Sequence, residues 1–272
     1  MKYGFLGAGN MGSAIIKGMV NSSFNAKDIF VYDTNKDKVS EMSLECGINL
    51  LSSQEEVFSC DVVILAVKPY VLDSLKDKLN AIYTDLNSKE KIIISIAVGK
   101  SLSYLSEIFP DASLVRVMPN INAMVSSSIT GYCIGTNVTN EKEKIVTDVF
   151  AGLGAVIKIE EKNMSIFGAI AGSSPAFTYM YIDALARAGV KSGLSKEQAL
   201  QIATHSVLGS AKMILLSDKH PMELTDMVCS PAGTTICGVL SLRKNAFEGD
   251  IAEAVEAVLK RDAEIGGMKN DK

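Results

Sequence analysis

Three glycines near the start of the chain have the spacing of a phosphate-binding turn. Gly7, Gly9 and Gly12 follow a short apolar segment, Tyr3 to Leu6, and precede a run typical of a helix. In such a turn the first glycine allows the bend, the second lets the backbone approach a pyrophosphate, and the third lets the helix pack on the strand. The amides at the helix start then point at the phosphates. The sequence therefore predicts a dinucleotide site with contacts from Gly7, Gly9, Asn10, Met11 and Gly12.

An acidic residue, Asp33, follows the last of these glycines by about 20 residues, where a Rossmann unit contacts the ribose of its cofactor. A carboxylate there favours NAD, because it accepts hydrogen bonds from the adenosine 2′-hydroxyl. The next residues, Thr34, Asn35, Lys36 and Lys38, could instead hold a 2′-phosphate. We expect Asp33 and Asn35 to contact the cofactor, and these residues alone leave both cofactors open.

Three continuous apolar runs follow, at residues 61–67, 91–97 and 113–118. Runs of this kind are typical of parallel strands that are buried on both faces. Ligands of open α/β sheets collect at the carboxyl ends of the strands. Further cofactor contacts are therefore predicted at the ends of these runs: Ala66, Val67, Lys68, Pro69, Ala97 and Asn120. Residues 127–134 and 155–159 are predicted strands on either side of a helix at 140–153.

The alternation of strand and helix stops at Lys162, after which the pattern is helical. The sequence thus predicts an α/β fold with a Rossmann domain at residues 1–161 and an all-α dimerisation and substrate domain at 162–272. Its first helix, 164–188, is interrupted near Pro175, which removes a helical hydrogen bond. Further helices are predicted at 195–216, from Gly233 onward and at 249–265, with a non-helical joint at 220–231. The apolar surplus of the first long helix predicts a partner subunit.

Composition excludes several other classes of protein. The 272 residues are 47% hydrophobic and 21% charged, which is an ordinary globular mixture, and the net charge of -4 argues against a nucleic-acid partner. Without a signal-like segment or a membrane-length apolar run, a soluble cytoplasmic protein with no membrane partner is expected. The five cysteines are scattered and the two histidines lie apart from other ligands. Free thiols and no metal site are therefore expected.

Several blocks of the chain resemble the pyrroline-5-carboxylate reductase family along the whole length. They are the glycine turn, Ala66 to Pro69, Arg116 to Asn120, Gly172 to Phe177 and, most specifically, Asp226 to Ile236 with its Ser-Pro-Ala-Gly-Thr-Thr joint. The chain departs from the family pattern at two positions. Ala232 stands where a second glycine is more frequent, and Val98 stands where a smaller residue is usual.

The resemblance implies an enzyme that reduces 1-pyrroline-5-carboxylate to L-proline in proline biosynthesis. It favours NADPH as hydride donor, with NADH as a second cofactor, and implies a homodimer or a larger homo-oligomer built from dimers. Ser230, Gly233, Thr234 and Thr235 would bind the substrate, whose carboxylate would meet the amides of the last three. Thr235 would be catalytic, because its hydroxyl, or a water held by it, would protonate the imine nitrogen. The alternative for Thr235 is a purely structural helix-start residue.

Three rival functions remain to be weighed. A hydroxyacid dehydrogenase of the 6-phosphogluconate type needs a lysine on the helix that opens the second domain, and the segment Ala169 to Ser174 has none. Another imine reductase would share the same features. A protein that only senses NAD(P) would keep the glycine turn, but it would not need the joint from Ser230 to Ile236.

Overall fold

The computed structural model describes residues 1–86 and 90–265. The backbone divides into two compact units, one built from residues 1–172 with the end of the last helix, and one from residues 173–258. The first unit thus extends beyond Lys162 to Gly172, and the predicted division into functional domains at residue 162 stays a prediction.

Eight strands of the described chain form one sheet in the first unit. Their spatial order is β3-β2-β1-β4-β5-β6-β7-β8, and neighbouring strands are parallel except for the antiparallel pair β6 and β7. The first six strands, in the order β3-β2-β1-β4-β5-β6, have the strand order of a Rossmann domain. The bounds are β1 Tyr3–Leu6, β2 Ile29–Tyr32, β3 Asn49–Leu50, β4 Val62–Leu65, β5 Ile92–Ser95, β6 Ser113–Met118, β7 Ser128–Ile134 and β8 Gly154–Lys158.

Helices cover both faces of this sheet, which explains the unbroken apolar runs of the central strands. One buried cluster includes Phe5, Ile15 and Phe150, and the cluster on the other face includes Leu79 and Phe109. The predicted strands and the helix near 140–153 are confirmed. The helical bounds are α1 Asn10–Val20, α2 Lys36–Cys46, α3 Gln54–Val57, α4 Pro69–Asp85, α5 Leu102–Ile108, α6 Asn140–Ala151 and α7 Met164–Phe167.

The strand register brings the carboxyl ends of four strands level with one another. Leu6 at the end of β1 lies opposite Tyr32 of β2 and Leu65 of β4, and Leu65 lies opposite Ser95 of β5. The turns that follow β1, β2, β4 and β5 therefore lie side by side at one edge of the sheet. This edge carries most of the cofactor contacts that the sequence predicts.

After α7 the chain forms a π-helical segment, Gly168–Ser173, and Pro175 lies in the first turn of the next helix. The predicted break near Pro175 is thus confirmed. The remaining helices are α8 Ser174–Lys191, α9 Lys196–Leu216, α10 Pro221–Val228, α11 Thr234–Lys244 and α12 Phe247–Ile265.

The predicted joint at 220–231 is wrong over most of its length, because α10 occupies residues 221–228. His220 caps this helix with its imidazole, which accepts a hydrogen bond from the Met222 amide at 3.2 Å, and Pro221 suits the first helical position. The proline that suggested a break therefore starts a helix.

The second unit has a small apolar core of its own. Where α8 and α9 pack together, the buried residues are Ala186, Ala199 and Ala203, with Ile182 partly buried against them. Many large apolar side chains on these helices are exposed within the single chain, among them Met180 at 73% and Leu216 at 87%.

Candidate functional site

The turn after β1 requires glycine at two of its three positions for reasons of packing. Gly7 has a φ of 102°, and a Cβ atom there would lie 2.8 Å from the Ala66 carbonyl oxygen. A Cβ atom on Gly12 would lie 2.7 Å from the Gly7 carbonyl oxygen. A Cβ atom on Gly9, in contrast, would meet nothing within 4 Å. Gly7 and Gly12 therefore close the turn, while Gly9 faces open space into which a ligand can enter.

The start of α1 presents unpaired amides to that space. Gly9 is the N-cap and offers no side-chain acceptor, and the first turn of the helix contains no acidic residue. The first intrahelical bond runs from the Ser13 amide to the Gly9 carbonyl, at 2.9 Å. The amides of Asn10, Met11 and Gly12 thus have no acceptor within the helix. Three amides and the helix dipole at one point suit an anion such as a pyrophosphate.

A cavity of about 290 Å³ lies beside this turn, at the carboxyl ends of the parallel strands. It brings together six of the predicted cofactor residues, which are Gly7, Gly9, Asp33, Ala66, Val67 and Lys68. It also contains Thr34, which the sequence offered as a 2′-phosphate contact, and five residues that were not predicted as contacts: Leu6, Tyr32, Gln54, Val71 and Leu75. Gln54, Val71 and Leu75 come from α3 and α4, whose contribution no glycine or strand-end signal indicates.

Other predicted contacts lie outside this cavity. Asn10 lines a second cavity, of about 410 Å³, together with residues of α1, α2 and the turn at 121–125. Pro69 is in the first turn of α4, and Ala97 is buried just beyond β5. Asn35 caps α2 by accepting a hydrogen bond from the Lys38 amide at 3.1 Å. None of these positions tests a role in cofactor binding, so the assignments stay predictions.

Both oxygens of the Asp33 carboxylate accept hydrogen bonds from backbone amides of the first unit. Its Oδ2 accepts a hydrogen bond from the Ala8 amide at 2.6 Å, and its Oδ1 accepts one from the Asn35 amide at 2.9 Å. The ammonium group of Lys36 lies 4.2 Å from the centre of the Tyr32 ring, close to the end of β2. A carboxylate and an ammonium group thus both lie near the end of β2.

Asn120, at the end of β6, is buried and fully engaged with the protein. Its side-chain amide donates to the Ala171 carbonyl at 2.9 Å, and its Oδ1 accepts from the Asn122 amide at 3.1 Å. Its backbone amide donates to the hydroxyl of Ser128 at 3.3 Å. Asn120 therefore joins the end of β6 to the π-helical segment, and its predicted contact with the cofactor stays a prediction.

A polar cluster fixes the start of α5 after the turn Ala97 to Gly99. Asp73 of α4 accepts hydrogen bonds from the Lys100 ammonium and from the Tyr104 hydroxyl, the latter at 2.7 Å. The hydrogen bond from Lys100, followed by that from Tyr104, lowers the pKa of Asp73. Burial and the neighbouring Asp73 raise the pKa of Tyr104. The cluster ties α4 to the start of α5.

In the second unit, the predicted substrate loop is a β-turn that leads directly into α11. The Gly233 amide donates to the Ser230 carbonyl at 3.0 Å, and Ala232 has a φ of 55°. Proline at the second position and a positive φ at the third are the pattern of a type II turn, where glycine is preferred third. The family difference at Ala232 thus falls on the one residue of this turn that favours glycine.

The geometry of the loop changes one predicted contact. Because the Gly233 amide is already bonded to Ser230, it is not a free donor for a substrate carboxylate. Gly233 is the N-cap of α11 and has no side-chain acceptor, so the amides of Thr234, Thr235 and Ile236 have no intrahelical partner. The unpaired amides of this loop therefore lie one residue further along than the predicted donors, and their contact with a substrate carboxylate stays a prediction.

Within residues 1–86 and 90–265, no group of three or more histidine, cysteine, aspartate or glutamate side chains is placed to hold a metal ion. One helix of the described chain, α9, is long and apolar enough to cross a membrane by length and composition alone. This apolar run of membrane length is one that the sequence analysis did not recognise.

Comparison with known proteins matches both parts of the chain. A family model described as pyrroline-5-carboxylate reductase dimerisation matches residues 161–265, and one described as NADP oxidoreductase, coenzyme F420-dependent, matches residues 2–99. A curated pyrroline-5-carboxylate reductase of Methanosarcina acetivorans is 37% identical over 97% of this chain and 98% of its own. The chain belongs to the pyrroline-5-carboxylate reductase family.

Solved structures of the pyrroline-5-carboxylate reductase family agree with this fold. The Plasmodium falciparum enzyme, solved with NADP bound, has a TM-score of 0.86 and 36% identity, and covers 98% of each chain. The Coxiella burnetii enzyme has a TM-score of 0.90 and 27% identity, and covers 97% of each chain. The predicted Rossmann domain followed by a helical dimerisation domain is confirmed. Helix α9 lies within the segment that matches the dimerisation model of this family.

Proposed function

We propose that this protein reduces 1-pyrroline-5-carboxylate to L-proline with a hydride from NADPH, the last step of proline biosynthesis. Membership of the family over nearly the whole chain supports this reaction. The observation that carries it at the level of residues is the uncapped start of α11 directly after the turn at Ser230 to Gly233. This loop offers amides and threonine hydroxyls to a small anionic substrate.

The residues of the first unit fit a phosphorylated dinucleotide. Gly9 leaves room for a pyrophosphate, and the amides at the start of α1 are free to bind it. The hydroxyl of Thr34 and the ammonium groups of Lys36 and Lys38 would hold the 2′-phosphate of NADPH. NADH, which lacks this phosphate, would be a weaker second cofactor.

The substrate carboxylate would be bound by the amides of Thr234, Thr235 and Ile236, which lie at the positive end of α11. Hydrogen bonds to a charged group contribute about 1.5–3 kcal/mol each. Ser230 and Gly233 would shape the loop, since they are joined by the bond that closes the turn. The affinity for substrate should therefore depend on its carboxylate, and a pyrroline without one should be a poor substrate.

The reaction adds a hydride and a proton across the C=N bond. The bound nicotinamide supplies the hydride to the imine carbon, and the nitrogen must gain a proton before or during that step. The exposed hydroxyl of Thr235, or a water held by it, would donate this proton and be replenished from solvent. The remaining contribution of the protein is to hold the imine in position.

The test compares Thr235→Ala and Thr235→Ser in steady-state oxidation of NADPH with added pyrroline-5-carboxylate. Both variants keep the amide that binds the carboxylate, and only serine keeps the hydroxyl. We expect Thr235→Ala to lower kcat about 100-fold with little change in KM, as for an interaction made in the transition state, and Thr235→Ser to restore most of it. Full turnover of Thr235→Ala from pH 6 to 9 would eliminate the hydroxyl as donor. No NADPH oxidation by wild type would refute the proposed reaction itself.

We also propose that the helical unit forms a homodimer in a soluble, cytoplasmic enzyme, with larger oligomers built from dimers. The exposed apolar side chains of α8 and α9, set against a core of three alanines, support this. Large exposed apolar patches on a protein are usually covered by a partner. Sedimentation at micromolar concentration should give a dimer or a multiple of one, and a stable monomer would contradict the proposal.

A further inference from the structure

The carboxylate of Asp33 occupies the position that usually reads the ribose, but its oxygen atoms bond to the protein. Oδ2 accepts from the Ala8 amide at 2.6 Å, and Oδ1 accepts from the Asn35 amide at 2.9 Å and from the Thr34 hydroxyl at 3.5 Å. We propose that Asp33 is a positioning residue that fixes the glycine turn, and that its charge does not decide between NADPH and NADH.

The bond to Ala8 ties β2 to the middle of the glycine turn. Ala8 is fully buried between Gly7 and Gly9, and its amide has Asp33 as acceptor. The Gly7 amide donates to the Tyr32 carbonyl at 2.8 Å, so two successive amides of the turn are held by two successive residues of the β2 end. Without the carboxylate, a buried amide would lose its acceptor, which is a costly state for a backbone group.

The second oxygen of Asp33 orders the segment that follows β2, of which Thr34 lines the cavity. Its bond to the Asn35 amide fixes the entry into α2, and Asn35 in turn caps that helix. Thr34 and Lys36 stand on either side of Asn35. One carboxylate thus supports both the pyrophosphate turn and the segment that would meet a 2′-phosphate.

The hydrogen bonds to the Ala8 and Asn35 amides explain how the acidic Asp33 can lie next to a segment that would bind a phosphate. The two amides donate charge-assisted hydrogen bonds to the carboxylate, and their dipoles stabilise its negative charge. Rotation of the Asp33 side chain away from the turn would break both bonds and leave the Ala8 amide unpaired. The acid is therefore retained by the fold of the turn, and a phosphate can be bound nearby by Thr34 and Lys36.

The proposal rests on the NADPH-dependent reduction proposed above, and its test needs no substrate. Asp33→Asn and Asp33→Ala are compared with wild type by thermal unfolding without cofactor and by fluorescence titration with NADPH and with NADH. Asp37→Asn is the matched control, because Asp37 is an exposed acid in the first turn of α2. It removes the same charge a few residues away without touching the glycine turn.

We expect both Asp33 variants to unfold several degrees lower and to bind both cofactors about tenfold or more weakly, with the ratio of the two Kd values within about threefold of wild type. Asp37→Asn should change neither cofactor's Kd by more than about twofold. If Asp33→Ala fails to fold, Asp33→Asn decides, because it keeps one carbonyl oxygen as acceptor.

A shift of the Kd ratio toward NADPH by about tenfold or more in the Asp33 variants would overturn the proposal, since it would show that the acid reads the ribose. Unchanged unfolding with unchanged affinities would overturn it as well. Wild-type oxidation of NADPH with pyrroline-5-carboxylate is measured separately, so that failure of the proposed reaction is distinguished from failure of this role of Asp33.

Discussion

Replacement of Gly9 by alanine should abolish cofactor binding without unfolding the protein. Gly9 has φ -60° and ψ -172°, a conformation open to any amino acid, and a Cβ atom there meets no other atom within 4 Å. Lower entropy of the unfolded chain stabilises an alanine by about 0.4–1 kcal/mol, while loss of glycine at the N-cap costs a similar amount. The unfolding temperature without cofactor should therefore stay within about 4 °C of wild type.

The effect on binding should be far larger. A methyl group at Gly9 would occupy the space through which a pyrophosphate reaches the amides of α1. Loss of two charge-assisted hydrogen bonds costs about 3–6 kcal/mol, which corresponds to a Kd weaker by about 100- to 20,000-fold. Fluorescence titration with NADPH measures this change directly.

Gly12→Ala is the matched control, because its Cβ atom would lie 2.7 Å from the Gly7 carbonyl oxygen. The strand and the helix must then separate, at a cost of about 1–3 kcal/mol in the free energy of unfolding. Gly12→Ala should thus lower the unfolding temperature without cofactor, which Gly9→Ala should not. An unchanged NADPH Kd in well-folded Gly9→Ala would refute the placement of the pyrophosphate at this turn.

Three further changes test other parts of the structure. The Tyr132 hydroxyl donates a hydrogen bond to Glu143 at 2.7 Å and lowers the pKa of that carboxyl group. The stability that this bond contributes is therefore present above pH about 4.3 and is lost as the pH falls further. Tyr132→Phe should for this reason lower the unfolding temperature more at pH 7 than at pH 3. Ala232→Gly removes a positive-φ cost of about 1 kcal/mol and should lower KM for pyrroline-5-carboxylate up to about fivefold, whereas Ala232→Val should raise it. Asn120→Ala leaves the Ala171 carbonyl unpaired and should destabilise the protein by about 1–3 kcal/mol in denaturant unfolding; a loss below about 0.5 kcal/mol would contradict the role of this bond.

The sequence predicted the elements that a short stretch of residues identifies by its apolar pattern or by its turn residues. Strands β4, β5 and β6 are buried on both faces, so their apolar runs stand out, and the glycine spacing identifies the turn after β1. Helix α10 was missed because a proline that follows a polar stretch, here residues 217–220, resembles a break as much as a first helical turn. The contributions of α3 and α4 to the cavity were missed because they depend on how helices lie against the sheet, which no spacing in the chain encodes.

The hydrogen-bond partners of the site residues were beyond local reasoning for a related reason. An acid after β2 suggests a ribose contact by its position, yet the atom that Asp33 meets is an amide 25 residues away in sequence. In the substrate loop the sequence placed Gly233, Thr234 and Thr235 together as donors, whereas the turn consumes the first of these amides. The free donors then coincide with the first three residues of α11, where any helix has unpaired amides. The unpaired amides of this loop therefore lie at the start of the helix, and the preceding turn, strained at Ala232, determines where that helix begins.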